Sequence, residues 1–542
     1  MLRLSGTAAI VSALSACTNG TKSVAGSTSP ARPASTTMTT GSPRSSAATG
    51  VATATAPPST PSRAPSSTVA NGPRTLDQLA GAVSGGLKRR GQAGYDAAAL
   101  LYNPRFGRQP GPRAIAACRT GADVAACVRF AAAGATNLRI RNGGHSYGGW
   151  SSGPGLVADL AAMKSVTFDA RTMTATVGAG ARLADVYGAL AAHGVAIGAG
   201  SCPTVGVTGL TLGGGVGVLS RAYGLTCDQV RAFAVVTADG TAHTVDAHTQ
   251  PELFWALRGG GGGLAAVTSV TFAVRRAPTI VRFFLQWPWS RAADVLAAWQ
   301  EWTAGAPREL WSTCKLLADP GSGLTATVAG TWIGSGSVDR VLAALLRRLP
   351  APRFSSRHTD SYGATMAAEA GCAGLDPNQC VTHALTPGSR LPFAATSSIV
   401  AKALPAAGVA AAVEAVANSM DVAPGVLVEA GISFDALGGA VADVGPGDTA
   451  FPWRSALALV QHTATWRSSA AGHDPAPFDG FVRAARKSLA PWTGSSAYVN
   501  YADASIANFA TAYWGSNLSR LRTVKRAVDP HGVFGFPQSV PL

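Results

Sequence analysis

Two glycine-rich stretches of the chain carry residue types that could do chemistry. In RNGGHSYGGW, residues 141–150, glycines stand on both sides of His145. Because glycine has no Cβ, such a turn lets the backbone bring an imidazole close to a large, flat partner. A histidine packed in the core or lying on the surface would not need these glycines, but on this motif alone that alternative stays open.

The second stretch, GAGSCPTVGVTGLTLGGGVGVLSRAYGLTCDQV at 198–230, contains Cys202, followed by a proline and a series of glycines. Valines and leucines interrupt the glycines, which favours a buried segment over a flexible loop. Buried glycine-rich backbone with free N–H groups is typical of pyrophosphate binding. The stretch has neither the strand–GxGxxG–helix pattern of a dinucleotide fold nor the lysine of a Walker loop.

Hydrophobic periodicity predicts the elements that position these stretches. Residues 138–141 alternate as a short strand that ends just before the turn at His145, and 166–177 and 233–245 are predicted hairpins. Apolar residues at helical spacing predict a helix over 183–190, with Gly194 as its C-terminal stop. Strands and helices alternate irregularly, which predicts an α+β fold.

The middle of the chain predicts a second domain. Its strand-like segments are 281–287, 310–317, 324–332, 426–434 and 458–466, and its helix-like segments are 292–302, 338–349 and 407–416. These elements predict an antiparallel sheet with helices on one face.

The N-terminus is typical of an exported protein. Residues 1–17 have an early arginine, an apolar stretch and small residues. Leu-Ser-Ala-Cys, ending at Cys17, resembles a bacterial lipobox, which would give a lipid anchor at that cysteine; the alternative is an ordinary secretory signal. Residues 18–72 are rich in Ser, Thr, Pro and Ala and predict a disordered tether.

Composition argues against several function classes. The net charge is +16, but the arginines are scattered and show no basic stripe or reader motif, so no nucleic-acid partner is predicted. No apolar run reaches the ~20 residues of a transmembrane span. The nine histidines and eight cysteines show no metal-ligand spacing, so no metal site is predicted.

Export into an oxidising compartment favours disulfides. Cys372 and Cys380 bracket the polar loop AGLDPNQ and are expected to pair. Cys127 lies on the apolar face of a predicted helix and is expected to be a small core residue.

The two glycine-rich stretches together resemble the flavin domain of the vanillyl-alcohol-oxidase superfamily, and more closely that of berberine-bridge-enzyme-like oxidases. Residues 251–272 (PELFWALRGGGGGLAAVTSVTF) and 497–540 (from AYVNYADAS to FPQSV) resemble two further blocks of that family, in the same order. The resemblance covers about residues 75–542. It implies a two-lobed FAD-binding domain over 73–280, a substrate domain over 281–490 and a C-terminal segment, 491–542, that returns to the FAD domain.

The resemblance also implies FAD held by two covalent bonds, from His145 to the 8α-methyl and from Cys202 to C6 of the isoalloxazine. These bonds require an unprotonated imidazole nitrogen and a thiolate. The alternative for Cys202 is a structural thiol or one half of a disulfide. Further contacts to FAD are implied for Arg141, Asn142, Gly143, Gly144, Ser146, Thr204, Val205, Gly206, Gly209, Gly213, Gly214, Gly217, Val267 and Asn500. The chain departs from the family at Gly263–Ala265, where relatives have Asn-Phe-Gly.

By the same resemblance, Tyr501 of the YxNYxD motif removes a hydroxyl proton while hydride passes to flavin N5. A phenol with a pKa near ~10 needs a cationic or hydrogen-bonding neighbour for this. A core aromatic on a terminal strand is the alternative role, and it suits Tyr498 better. In the strand 458–466, Gln461 or His462 would touch substrate, and alternation allows only one of them on a given face.

The implied function is the oxidation of a hydroxyl or hemiacetal carbon of a carbohydrate, or of a hydroxyl or amine on a secondary metabolite. Val205, the third residue after the cysteine, is small at a position that gates oxygen in the family, which favours an oxidase that gives hydrogen peroxide. A dehydrogenase with another electron acceptor is the first alternative. A surface protein that binds flavin without turnover is the second.

Overall fold

The computed structural model describes residues 72–107, 111–134, 136–386, 389–467 and 474–542. Cys17, the export signal and the tether up to residue 71 lie outside these ranges.

The first lobe is built on a small mixed sheet. Its strands are β1 (Leu87–Arg89), β2 (Ala114–Ala117), β3 (Leu138–Arg141) and β4 (Leu156–Asp159), in the order β1-β2-β4-β3. Its helices are α1 (Leu76–Ala82), α2 (Tyr95–Ala99) and α3 (Gly121–Ala133). The apolar side chains of α1 and α3 share one core with the sheet, and the predicted strand 138–141 is β3.

The second lobe is a five-stranded antiparallel sheet in the order β5-β6-β10-β8-β9. Its strands are β5 (Val166–Asp169), β6 (Thr174–Gly178), β8 (Val230–Val236), β9 (Ala242–Asp246) and β10 (Ala266–Ala273). Two short strands, β7 (Val195–Ala196) and β11 (Arg275–Arg276), pair beside it. Its helices are α4 (Leu183–Ala192), α5 (Val207–Leu212), α6 (Ser220–Tyr223) and α7 (Pro251–Ala256). Both predicted hairpins and the predicted helix form.

The remaining sheet has seven strands, all antiparallel, in the order β15-β12-β14-β13-β17-β18-β16. They are β12 (Thr279–Pro288), β13 (Leu310–Asp319), β14 (Gly323–Trp332), β15 (Phe354–Ser361), β16 (Phe393–Val400), β17 (Leu427–Ala436) and β18 (Ala458–Trp466). Helices α8 (Ala292–Ala304), α9 (Val338–Leu346), α12 (Ala406–Ala417) and α13 (Ala476–Thr493) share its core on one face. The expected antiparallel sheet with helices on one face is confirmed, and with it the α+β class.

Two connections tie this sheet to the two lobes. Helices α10 (Tyr362–Glu369) and α11 (Pro377–Leu385) lie against α4. The disulfide Cys372–Cys380, the pair expected from the sequence, links the connection between these helices to α11. The C-terminal helices are α14 (Phe509–Trp514) and α15 (Leu518–Val528). Beyond them, Phe534 packs in the core of the first lobe and Val540 in that of the second.

Cys127 lies on α3 and is fully buried, as predicted. Among the described residues, no helix is both long and apolar enough to cross a bilayer.

Candidate active site

A large cavity opens between the two lobes and the uncovered face of the seven-stranded sheet. It contains about 1930 Å³ of empty space, part of it open to solvent. Its walls come from both glycine-rich stretches, the glycines at 261–263, the inner face of the sheet and the segment around Tyr501. Regions separated by hundreds of residues in the sequence therefore meet at one site.

Glycines allow the two stretches to touch backbone to backbone. A Cβ added at Gly143 would lie 2.4 Å from the Gly206 nitrogen and 2.5 Å from the Thr204 carbonyl oxygen. A Cβ at Gly206 would lie 2.6 Å from the Asn142 Cβ. Gly144 has φ +72°, which favours glycine. The glycines before His145 are thus explained by contact between the two loops as well as by the turn.

His145 is held on the cavity wall by two contacts. Its Nε2 lies 2.8 Å from the Thr204 Oγ1, and its ring stacks on Tyr102 with the centroids 3.7 Å apart. Burial, reinforced by the positive charges of Arg182 and Arg390, lowers the pKa of His145 to about 3. The imidazole is therefore neutral near pH 7, with one ring nitrogen unprotonated.

The glycines that line the cavity leave room for a cofactor such as FAD. The ideal Cβ position at Gly209 has no atom closer than the Asn142 Oδ1, at 4.0 Å, and Gly209 lines the cavity. At Gly262 the nearest atom is 3.5 Å away, on the Phe536 ring. A Cβ would thus fit at both positions without collision, and bare backbone borders the cavity on two sides. Such a cradle, which side chains would fill, suits a flat ring system and its pyrophosphate.

Most of the residues implied by the family resemblance line this cavity. They are Asn142, Gly143, Gly144, His145, Ser146, Cys202, Val205, Gly206, Gly209, Gly217, Val267, Gln461, Asn500 and Tyr501. Cys202 is 7% exposed, and in this structure its sulfur takes part in a disulfide. A bond from Cys202 to the cofactor therefore requires this disulfide to be opened to the thiolate.

Arg141, Thr204, Gly213, Gly214 and His462 do not line the cavity. The Arg141 Nη2 instead donates to the Asp159 carboxylate and to the Ala98 carbonyl, both at 2.7 Å. Thr204 contacts the site only indirectly, through the contact between its Oγ1 and the His145 Nε2. A Cβ at Gly213 would collide with the Asn500 side chain, at 2.1 Å, so this glycine lies behind the wall.

The register of β18 decides between Gln461 and His462. Val460 and Ala464 belong to the core beneath the helices, so His462 points the same way. It is fully buried, with its Nε2 3.2 Å from the Ser398 Oγ. Gln461 points into the cavity, where its Nε2 donates to the Tyr147 hydroxyl at 2.8 Å.

Tyr501 lies at the cavity in an aromatic cluster. Its ring is stacked on Tyr147, with centroids 5.3 Å apart and planes at 14°, and meets the edge of Tyr498. Burial, then the negative charge of Asp435, raises the pKa of Tyr501 well above its usual value. The phenol is therefore protonated at neutral pH, and no cation is among the described groups that shift its pKa.

The alternative reading of Tyr498, as a core aromatic on a strand, is half correct. Its side chain is buried, and its hydroxyl accepts hydrogen bonds from the Gly215 nitrogen and the Asn500 Nδ2, both at 2.9 Å. The segment is not a strand, because Val499–Tyr501 form a single 3-10 turn. The turn points Asn500 and Tyr501 into the cavity.

Asp435 is a site residue that the sequence reasoning missed. It lies on β17, is 3% exposed and lines the cavity. Burial raises the pKa of Asp435, and Lys315 on the neighbouring β13 opposes that rise. The alternation of β17, in which Ile432 and Phe434 face the helices, was the signal that could have placed Asp435 on the inner face.

Comparison with known proteins agrees with this geometry. A family model for an FAD binding domain matches residues 112–246, and one described as berberine and berberine like matches 497–541. The FAD-linked oxidoreductase YgaK of Bacillus subtilis (strain 168) is 31% identical over 85% of this chain and 97% of its own. A xylooligosaccharide oxidase of Thermothelomyces thermophilus is 31% identical over 79% of this chain and 87% of its own.

Among solved structures, wild-type BBE-like 1 of Physcomitrella patens superposes with a TM-score of 0.77 at 30% identity, covering 86% of this chain and 99% of that one. A chitooligosaccharide oxidase superposes with a TM-score of 0.76 at 28% identity, covering 86% and 98%. Fold and cavity thus define an FAD-linked oxidoreductase. The chain belongs to the berberine-bridge-enzyme-like family of these enzymes.

Proposed function

We propose that the protein is an oxidase with bicovalently bound FAD that acts on a hydroxyl-bearing carbon of a carbohydrate or secondary metabolite. The observation that carries this proposal is the meeting of His145, Cys202 and Tyr501 on the wall of one cavity. His145 and Cys202 would each bond to the cofactor, and the backbone at Gly206, Gly209 and 261–263 would surround it. Bound FAD would supply the redox chemistry, accepting hydride and passing the electrons to oxygen.

Tyr501 and Asp435 together account for removal of the hydroxyl proton. A phenol whose pKa is raised by burial carries its own proton and can accept another only if the first one leaves. Asp435 lines the same cavity, and its charge already acts on Tyr501. We infer that the Tyr501 Oη takes the substrate proton while its own proton moves to the Asp435 carboxylate.

The cavity lining favours a carbohydrate. Tyr147, Trp311 and Phe393 offer apolar ring surfaces, while Gln461 and Asp435 offer hydrogen-bonding groups to hydroxyls. Similar proteins are named as xylooligosaccharide, glucooligosaccharide and chitooligosaccharide oxidases. An oligosaccharide bearing a free hemiacetal carbon is therefore the first substrate to test.

The proposal is tested by supplying neutral oligosaccharides and measuring hydrogen peroxide in air, with anaerobic dye reduction as the parallel assay. We expect peroxide in amounts equal to the sugar oxidised, and peroxide formation about 10²- to 10⁴-fold slower in the Tyr501→Phe variant. Dye reduction without peroxide would instead identify a dehydrogenase. A flavin that no sugar or alcohol reduces, even slowly, would contradict the enzymatic proposal.

We further propose that the protein is exported and anchored by a lipid on Cys17, with residues 18–72 as a tether. The motif at residues 14–17 supports the anchor. Membrane fractionation of cells producing the wild-type and Cys17→Ser proteins tests it. Recovery of both proteins in the soluble fraction would contradict the anchor and leave simple secretion.

A further inference from the structure

Thr204 contacts the proposed attachment residue without lining the cavity itself. Its side chain is buried, 1% exposed, and its Oγ1 lies 2.8 Å from the His145 Nε2. The other ring nitrogen, Nδ1, has no hydrogen-bond partner among the described residues, and His145 lines the cavity. One nitrogen is therefore engaged behind the wall, which leaves Nδ1 as the nitrogen available to a ligand.

We propose that Thr204 is a positioning residue for cofactor attachment: its hydroxyl accepts a hydrogen bond from the His145 Nε2–H and so keeps the Nδ1 lone pair free to bond the 8α carbon of FAD. This inference rests on the proposed covalent FAD. It assigns the buried threonine a role in forming the bond, distinct from contact with the bound cofactor.

The hydrogen-bond partners of His145 indicate which ring nitrogen carries the proton. A neutral imidazole carries one proton on two nitrogens, and the low pKa of His145, about 3, keeps the ring neutral. A proton on Nε2 is satisfied by the Thr204 Oγ1. Once the cofactor covers the ring, a proton on Nδ1 would be left without an acceptor, because a methyl group accepts no hydrogen bond, and an unpaired donor shielded from water is costly.

The surrounding contacts fix the orientation of the ring. Tyr102 covers one ring face at a centroid distance of 3.7 Å, with planes at 18°. The close approach of Gly143 to the Thr204 carbonyl and to the Gly206 nitrogen ties the loop of the threonine to that of the histidine. The hydroxyl and the imidazole are therefore positioned by the same loop contact.

In the attachment step a bond forms between Nδ1 and the 8α carbon. That carbon loses one proton and Nε2 loses another, and two electrons pass to the isoalloxazine ring. Molecular oxygen, the oxidant of the proposed function, takes up the two electrons and two protons and becomes hydrogen peroxide. The ring is then again oxidised, with the histidine as its substituent.

The test uses a Cys202→Ala background, in which every covalently held flavin reports the histidine bond. Protein made under riboflavin limitation is mixed with excess FAD in air, and the flavin-bearing fraction is followed by denaturing mass spectrometry. We compare Thr204→Val, which keeps the shape, Thr204→Ser, which keeps the hydroxyl, and Thr211→Val as the control. Thr211 is equally buried, and its Oγ1 donates to the Val207 carbonyl at 2.7 Å.

Loss of one such hydrogen bond is expected to slow attachment by about 5- to 10-fold in Thr204→Val. We expect Thr204→Ser and the Thr211 control to stay within about twofold of the parent protein. NMR of the isolated flavin peptide should place the link on Nδ1. A separate titration of the fast, non-covalent FAD complex measures affinity, so that a slow bond is distinguished from weak binding.

Three results would overturn the inference: attachment in Thr204→Val as fast as in the parent once FAD is saturating, weakened FAD binding with an unchanged attachment rate, or a link on Nε2. Each would leave the covalent FAD intact. If the parent protein carries no histidyl flavin at all, the proposed function fails at its first step, and this outcome is recognised before any threonine variant is compared.

Discussion

Gly209 offers a direct test of whether the glycine cradle holds FAD. It lies within α5, and an added Cβ would have no protein atom closer than 4.0 Å. Within the protein alone, Gly209→Ala should therefore be harmless or stabilising by about 0.5–1 kcal/mol, since alanine favours a helix over glycine. The added methyl group would project into the cavity that we assign to the cofactor.

When FAD fills the cradle, that methyl must overpack it. Overpacking of this kind costs about 1–3 kcal/mol, which corresponds to a 5- to 150-fold weaker affinity at about 1.4 kcal/mol per tenfold. The affinity is measured by quenching of flavin fluorescence in a His145→Ala, Cys202→Ala background, where no covalent bond forms. Thermal melting of the same protein without FAD reports stability.

Gly81→Ala is the matched control, because Gly81 also lies in a short helix, α1, with nothing within 4 Å of its Cβ position. It should leave FAD affinity unchanged. Gly143→Ala should behave in the opposite way to Gly209→Ala and destabilise the protein itself, since its Cβ would lie 2.4 Å from the Gly206 nitrogen. An unchanged FAD affinity in Gly209→Ala would refute the placement of the cofactor in this cradle.

Three further predictions concern the chemistry. Tyr501→Phe keeps the ring that stacks on Tyr147 and should slow anaerobic flavin reduction by substrate about 10²- to 10⁴-fold, with little change in substrate affinity by titration. Asp435 must be ionised to take a proton, so kcat/KM should fall as pH drops through its raised pKa. Lys315→Met removes the charge that opposes this rise, so the acid limb of the pH profile should move to higher pH; a shift to lower pH would contradict the assignment. Val205→Leu should slow reoxidation by oxygen in stopped-flow measurements while leaving dye reduction unchanged.

Much of the site could be predicted because its chemistry is encoded locally. His145 and Cys202 stand in short glycine-rich motifs, and these glycines predicted a close approach of the backbone to a partner. That the two loops also contact each other was visible only in the structure. The strands and helices of both domains could also be predicted, since their apolar residues recur with a period of 2 or of about 3.6.

The sequence alone could not show which face of a strand lines the cavity. Gln461 and His462 were equivalent until the helices over β18 were placed, and Asp435 lies one residue beyond the predicted strand 426–434, so that no face was assigned to it. Arg141 is held by Asp159 because β3 and β4 pair in parallel with these two residues in register, a long-range contact. The charge environment of Tyr501 likewise depends on Asp435, which is 66 residues earlier in the chain.

The covalent cofactor is tested most directly by the mass and visible spectrum of the purified protein after denaturation. We predict that the unfolded wild-type chain keeps one FAD, that His145→Ala and Cys202→Ala each keep it through the remaining bond, and that the double variant releases it. The measurement is made with and without a thiol reductant, because a thioether to flavin survives reduction and a disulfide does not. A colourless denatured wild-type chain, at the mass of its polypeptide and any lipid, would contradict the account.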